Sequence, residues 1–218
     1  MKTKHYFVKN LQQFVKDTEA VKKLKKYLDD IEGIFPTIEE VFGQTWDENQ
    51  INIELNNLTG SPKYIYKNDT HIVKMGIYNR NIQKKYPENL WGCLFHETHH
   101  AFMRPIVYNK GNKRDFNGGF KKGEPFTRSF QQTVYFKLKD KGVINEKICN
   151  DFLNMHRKEI DSDAKDLFEE YVNMFSNDID NFSKFINYLK LEPNKNLFTN
   201  KDNFIVDINK VKIFLLIS

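Results

Sequence analysis

Residues 94–102, with the sequence LFHETHHAF, place three of the six histidines of this 218-residue chain close together, beside a glutamate. His96, Glu97 and His100 match the pattern H-E-x-x-H. Because four residues make just over one helical turn, the two histidines would project from the same face of a helix and offer two imidazole nitrogens to one ion. Glu97 would lie beside the pair, where it could reach a metal-bound water. The segment therefore predicts a catalytic zinc site on a helix.

The residues around the motif predict the bounds of this helix. Pro87 and Glu88 are favourable at a helix start, since proline there loses no needed hydrogen bond and the acid suits the positive end of the helix dipole. Pro105, preceded by Arg104, is expected to end the helix. Four apolar residues would bury the helix: Leu90, Trp91, Leu94 and Phe95.

A further histidine, His99, lies three residues after His96 and could share its face. His100 is the preferred ligand, because only that pairing leaves Glu97 beside the ion. His99 is then expected to lie at the surface or to support the ligands without touching the ion.

Zinc in a catalytic site takes three protein ligands and keeps one position open for water. A metzincin would supply a histidine six residues after His100, but that position holds Ile106. Glu124 is the best candidate for the third ligand, because it follows a glycine-rich loop and opens the next predicted helix, from which its side chain could point back at the ion. The acidic alternatives are Asp115, Glu159, Glu169 and Glu170.

The first half of the chain predicts helices followed by strands. Apolar residues recur at helical spacing in residues 8–32, and a second, short helix is expected after Gly33 and Pro36 break this pattern. An antiparallel meander is then expected, because three segments with alternating or β-branched residues are separated by turn signals. These segments are residues 51–58, 63–67 and 71–79.

The second half is mainly helical. Residues 109–123 hold four glycines and are predicted to form a loop with basic residues. Helical spacing then returns in residues 125–139, 144–160, 162–175 and 178–190. Two β-branched stretches near the end of the chain favour strands, residues 204–208 and 211–217. The predicted fold is therefore α+β, with a small antiparallel or mixed sheet packed on the H-E-x-x-H helix and a helical C-terminal part.

The composition indicates a globular protein and gives little sign of a nucleic-acid partner. Hydrophobic residues make up 39% of the chain. The net charge is +5, but the basic residues are scattered among acidic ones rather than concentrated in one segment. Cys93 and Cys149 have no CxxC spacing and are expected to be buried free thiols. The N-terminal segment has no apolar core typical of a signal peptide, and the C-terminal segment is too short and too charged to span a bilayer. A cytoplasmic protein without membrane contact is expected, or a secreted protein if a leader was removed.

The order of these parts resembles the gluzincin metallopeptidases, and most of all the plant and bacterial basic secretory protein family. The resemblance rests on THIVKMGIYN, on the helix with LWGCLFHETHHAF, and on NGGF followed by a glutamate-bearing helix, and it covers roughly residues 50–140. In that family an edge strand precedes the H-E-x-x-H helix, and the glutamate of the next helix is the third ligand. This sequence has lysine at the expected glutamate position, and Glu124 comes about two residues later.

The resemblance implies a zinc-dependent peptidase with one Zn²⁺ per chain, held by His96, His100 and Glu124. Glu97 would act as the general base, and residues 71–79 would pair with an extended peptide or protein substrate. The donor for the developing oxyanion stays open among four residues: Tyr108, Arg128, Tyr135 and His156.

The chain would then comprise three segments: N-terminal helices in residues 1–48, a zincin-like catalytic core in residues 49–140, and a helical subdomain in residues 141–218 that forms one unit with the core. The alternative is a non-enzymatic or inactive zincin-fold module. Such a module would contact a partner protein or nucleic acid through its basic loop.

Overall fold

The computed structural model describes residues 1–47, 49–57, 60–107, 116–117, 124–176, 180–190, 198–200 and 203–206. The protein is α+β with a mixed sheet, as predicted. Its described residues fall into two compact units: the first lies within residues 1–36, 46–102 and 116–117, and the second contains the remainder. The predicted division into three segments stays a prediction.

The first unit contains a five-stranded sheet with the order β1-β2-β4-β3-β5. Its strands are β1 (Tyr6–Val8), β2 (Ile51–Asn56), β3 (Lys63–Lys67), β4 (Thr70–Gly76) and β5 (Phe116–Asn117). β1 and β4 both run parallel to β2, whereas β3 is antiparallel to β4 and β5. Asn68 and Asp69 join β3 to β4 with φ values of 50° and 54°, the left-handed conformation that a two-residue hairpin of type I′ requires.

One strand prediction is wrong, and one strand was not predicted. The predicted antiparallel meander is wrong, because β2 pairs in parallel with β4 rather than with β3. β1 was not predicted, since three residues are too few to show a period and the strand depends on a partner more than 40 positions away in sequence, as in the pair Tyr6 and Ile51. β5 lies within the predicted loop of residues 109–123, whose other residues are outside the described part of the chain.

The first long helix, α1 (Thr18–Phe42), continues through Gly33 and Pro36, so the predicted break is wrong. Proline removes one backbone hydrogen bond within a helix. The apolar face nevertheless continues on both sides of it, because Phe35 and Ile38 are fully buried. Burial of this face favours one helix over two. Gly43 directly follows the last helical residue, Phe42, and its φ of 73° suits a glycine after a helix end.

The H-E-x-x-H helix is α3 (Cys93–Val107), which follows the short helix α2 (Arg80–Gln83) and a 3-10 turn at Glu88–Leu90. The helix begins later than predicted. It also continues through Arg104 and Pro105, so the predicted stop is wrong. Only two helical residues follow Pro105, so the proline disturbs only the last turn.

The second unit contains four helices in the predicted places. These are α4 (Glu124–Asp140), α5 (Glu146–Glu159), α6 (Lys165–Ser176) and α7 (Asp180–Lys190). Their buried aromatic side chains form the core. The ring centroid of Phe182 lies 4.6 Å from that of Phe130 and 5.8 Å from that of Phe126.

A separate antiparallel hairpin joins β6 (Phe198–Asn200) to β7 (Asn203–Val206). β7 overlaps the strand predicted at residues 204–208, whereas the strand predicted at residues 211–217 is outside the described residues. Among the helices that the structure describes, none is both long enough and apolar enough to cross a membrane.

Both cysteines are buried and free, as predicted. Burial raises the pKa of the Cys93 thiol to about 12 and that of Cys149 to about 11. Both therefore remain protonated thiols at neutral pH.

Candidate metal centre

His96 and His100 project from the same face of α3, as the four-residue spacing requires. Their Nε2 atoms lie 3.1 Å apart, and their ring planes are nearly perpendicular, at 86°. The two side chains are almost buried, with 9% and 8% of their surface exposed. Two ring nitrogens therefore converge on one point at the surface of the helix.

This separation fits a metal ion. Tetrahedral zinc with Zn–N bonds of about 2.0 to 2.1 Å holds two ligand nitrogens roughly 3.4 Å apart. The observed distance between the Nε2 atoms of His96 and His100 is close to this value. At least one of the two Nε2 atoms must present its lone pair, because two protons cannot occupy the space between them.

Glu124 is the first residue of α4. His96 and His100 lie in the first unit and Glu124 lies in the second, so Glu124 as the third ligand stays a prediction. Two imidazoles and one carboxylate are a donor set that catalytic zinc sites use. The residues present therefore fit the ion that the sequence predicts.

The other acidic residues considered for the third ligand have different surroundings. Glu159 pairs with Arg128, and Glu169 forms a two-pronged ion pair with Arg157. Glu170 is exposed on α6, and Asp115 is outside the described residues.

Glu97 lies beside the histidine pair and faces the sheet. Its side chain is 6% exposed, and its Oε2 atom accepts a hydrogen bond of 2.7 Å from the backbone N–H of Tyr64 on β3. A carboxylate that accepts a backbone hydrogen bond has a fixed orientation. The strand thus holds the carboxylate next to the two imidazoles.

His99 is buried, so the expectation of a surface position is wrong. Its Nδ1 atom lies 2.7 Å from the carbonyl oxygen of Phe95, one turn earlier in α3. Burial lowers the pKa of His99 to about 3, which keeps the ring neutral. The ring therefore donates from Nδ1 to Phe95 and packs edge-on against the ring of that residue.

Two aromatic residues next to the site were missed in the sequence. Tyr64 stacks nearly parallel to His100, with ring centroids 6.5 Å apart, and its hydroxyl lies 2.6 Å from Nδ1 of His71. Both Tyr64 and His71 are fully buried. The two-residue turn at Asn68 and Asp69 could have indicated that Tyr64 and His71 lie close together. Such a turn sets the β3–β4 register and therefore determines which side chains lie opposite each other.

The four candidates for oxyanion stabilisation have different positions. Tyr108 is outside the described residues. Tyr135 is fully buried and its hydroxyl accepts a hydrogen bond from Gln131, while burial raises its pKa well above the usual value. Arg128 lies against Glu124, Glu159 and the buried His156. None of these contacts tests a role in catalysis.

Comparisons of the chain with protein-family models, curated proteins and solved structures found no match.

Proposed function

We propose that this protein is a zinc-dependent metallopeptidase of the gluzincin type, most like the basic secretory protein family. The observation that carries the proposal is the convergence of the His96 and His100 Nε2 atoms, 3.1 Å apart, with Glu97 fixed beside them. A buried carboxylate next to such a pair has the position of a general base.

His96, His100 and Glu124 would hold one zinc ion. The ion would supply Lewis acidity, which acidifies water and polarises a peptide carbonyl. Two neutral imidazoles and one carboxylate would leave a net positive charge at the site, which favours the developing oxyanion. The proposed site takes its first two ligands from one helical turn of α3 and its third from the first turn of α4.

Glu97 would take a proton from the attacking water and pass it to the leaving amine. Its hydrogen bond from Tyr64 occupies Oε2 and restricts rotation of the carboxylate. The remaining oxygen, Oε1, is then available for proton transfer. With Oε2 held by this hydrogen bond, the orientation of Oε1 would stay the same throughout the reaction.

The proposed position of the substrate differs from the prediction. β4, the strand of residues 71–79 expected to bind the peptide, is paired with β2 on one side and β3 on the other. Ile72, Val73 and Lys74 of β4 are paired on both sides and so offer no edge to a peptide. We therefore propose that an extended peptide does not pair with these three residues.

The proposed compartment is the cytoplasm. Cys93 and Cys149 are both buried and free. Reduced cysteines are typical of cytosolic proteins, in which thiol systems prevent disulfide formation.

Metal content tests the ligand assignment. Elemental analysis of the purified wild-type protein should give about one zinc per chain, and Glu124→Ala should lose the ion or bind it much more weakly. Glu170→Ala is the matched control, because it removes an exposed glutamate that was an alternative ligand in the sequence. Equal zinc content in Glu124→Ala and wild type would exclude Glu124 as a ligand.

Cleavage of casein or a peptide library tests the activity. Glu97→Gln should keep bound zinc and lose about 100-fold or more in cleavage rate, because glutamine cannot accept the proton. Zinc binding without cleavage by the wild-type protein would contradict the peptidase proposal and favour a zinc-stabilised binding module.

A further inference from the structure

Arg128 occupies a fixed position one helical turn after Glu124 on α4. Its Nε atom lies 3.3 Å from Oε2 of Glu124. Its NH1 atom lies 3.1 Å from Oε2 of Glu159 and 3.3 Å from Nδ1 of His156, both on α5. The side chain is 15% exposed. The guanidinium thus connects the proposed third ligand to two groups on a neighbouring helix.

His156 forms a rigid surface beside this guanidinium. A guanidinium carries only donors, so Nδ1 of His156 accepts the contact and the proton of the neutral ring lies on Nε2. The ring is fully buried and packs near Tyr135 and Phe168, with centroids 6.1 and 5.8 Å away. Because this ring has no room to turn, Arg128 is held in one place.

Glu159 balances the charge of Arg128. A lone cation next to a metal ligand would repel the ion and draw electron density from the carboxylate. The pair of Arg128 and Glu159 is neutral as a whole, so this repulsion is reduced while the directional contact to Glu124 is kept.

We propose that Arg128 is a positioning residue for Glu124, an inference that rests on the proposed zinc site. The Nε atom of Arg128 lies 3.3 Å from Oε2 of Glu124 and so restricts the rotation of this carboxylate. A glutamate with three rotatable side-chain bonds is otherwise free to turn away, and fixing it before the ion arrives lowers the entropy lost on binding. The role is distinct from contact with substrate or with the oxyanion.

Arg128 could in principle weaken zinc binding instead of supporting it. The direction of the change in zinc affinity on its removal therefore distinguishes the two effects. If the positive charge of Arg128 mainly competed with the ion for Glu124, removing that charge would tighten zinc binding. If Arg128 mainly orients Glu124, removing it weakens zinc binding, by about 10- to 100-fold for a group that orients a metal ligand.

The test is a competition titration of zinc against a chromogenic chelator. Arg128→Met, which keeps the aliphatic stem, should bind zinc about 10- to 100-fold more weakly than wild type, and Arg128→Lys should lie between them because it keeps the charge without the planar fork. Arg157→Met is the matched control, because Arg157 pairs with Glu169 on α6 and should not affect zinc.

A second measurement separates positioning from general loss of structure. The visible absorption of Co²⁺ bound in place of zinc depends on the ligand set, so it should change in Arg128→Met and stay unchanged in Arg157→Met. In a Glu124→Ala background, Arg128→Met should have no further effect on zinc affinity. If Arg128→Met does not fold, Arg128→Lys and Glu159→Gln provide the same comparison, with Glu159→Gln weakening zinc by leaving the charge of Arg128 unbalanced.

Equal or tighter zinc binding by folded Arg128→Met would overturn the positioning role and leave the zinc site intact. A wild-type protein that binds no zinc would overturn the proposed function itself, and this role with it. The two failures are therefore distinguishable in the same titration.

Discussion

The backbone N–H of Tyr64 on β3 donates a hydrogen bond of 2.7 Å to Oε2 of Glu97 on α3. This contact joins the sheet to the proposed general base through the main chain rather than through a side chain. The orientation of Glu97 therefore depends on the position of β3, and a substitution in the strand can change it without touching the helix.

Replacing Tyr64 with proline removes the donor to Glu97. We expect Tyr64→Pro to lose about 100-fold in peptide cleavage, because a misplaced base loses the alignment that proton transfer needs, while bound zinc stays near one per chain. Steady-state kinetics and elemental analysis measure the two effects. Tyr64→Ala, which removes the ring as proline does but keeps the N–H, is the control and should lose less. A loss of similar size in both variants would show that the backbone hydrogen bond is not what matters.

Zinc should stabilise the folded protein through His96 and His100. At a free zinc concentration 100 times the dissociation constant, an ion that binds only the folded state raises the free energy of unfolding by about 2.7 kcal/mol. We expect this increase in the wild-type protein and its loss in His100→Ala or after addition of a chelator. Chemical denaturation with and without zinc measures it, with Glu170→Ala as the control. The same increase in His100→Ala would exclude His100 as a ligand.

Truncation of Phe182 on α7 should clearly lower the stability of the second unit. It is fully buried and stacks on Phe130 with ring centroids 4.6 Å apart and planes 14° from parallel. Phe182→Ala should lower the free energy of unfolding by about 3 to 5 kcal/mol, because it leaves a cavity among aromatic rings. Urea denaturation measures the change.

The matched control for Phe182→Ala is Val143→Ala, at an apolar residue that is 37% exposed. Its effect on the free energy of unfolding should stay within about 0.5 kcal/mol. Comparable losses in the two variants would contradict the described packing of α7.

Glu40 should make stability depend on pH in the acid range. Hydrogen bonds from Lys141 and Lys137 lower the pKa of Glu40 below its usual value of 4.5. Because the folded pKa is the lower one, the stabilisation is present above about pH 4.5 and is lost as the pH falls through the folded pKa. Glu40 is 44% exposed, so solvent screening limits the effect to about 1 kcal/mol or less.

Comparison of wild type with Glu40→Gln by denaturation from pH 7 to pH 3 tests this dependence. The difference in the free energy of unfolding should be present at pH 7 and should vanish in acid. It should also shrink in high salt, because the ions of the solution screen partly exposed charges. A difference that is independent of pH would mean that Glu40 acts through something other than its charge.

The helices of the second unit could be predicted because their signal is local. Apolar residues at helical spacing mark α4 to α7 within a few positions of their observed bounds, and Asn145 caps α5 by accepting a hydrogen bond from the backbone N–H of Ile148. The proline rules were less reliable: Pro36 and Pro105 both lie inside helices. Continued burial outweighed the loss of one hydrogen bond at Pro36.

The sequence by itself determined that His96 and His100 share a helical face with Glu97 beside them, because this follows from 3.6 residues per turn. Only the tertiary structure decided which strand lies against Glu97. The β1-β2-β4-β3-β5 order and the contact of Tyr64 with Glu97 link residues distant in sequence. Such pairings depend on which faces are buried together, and no local period records that choice.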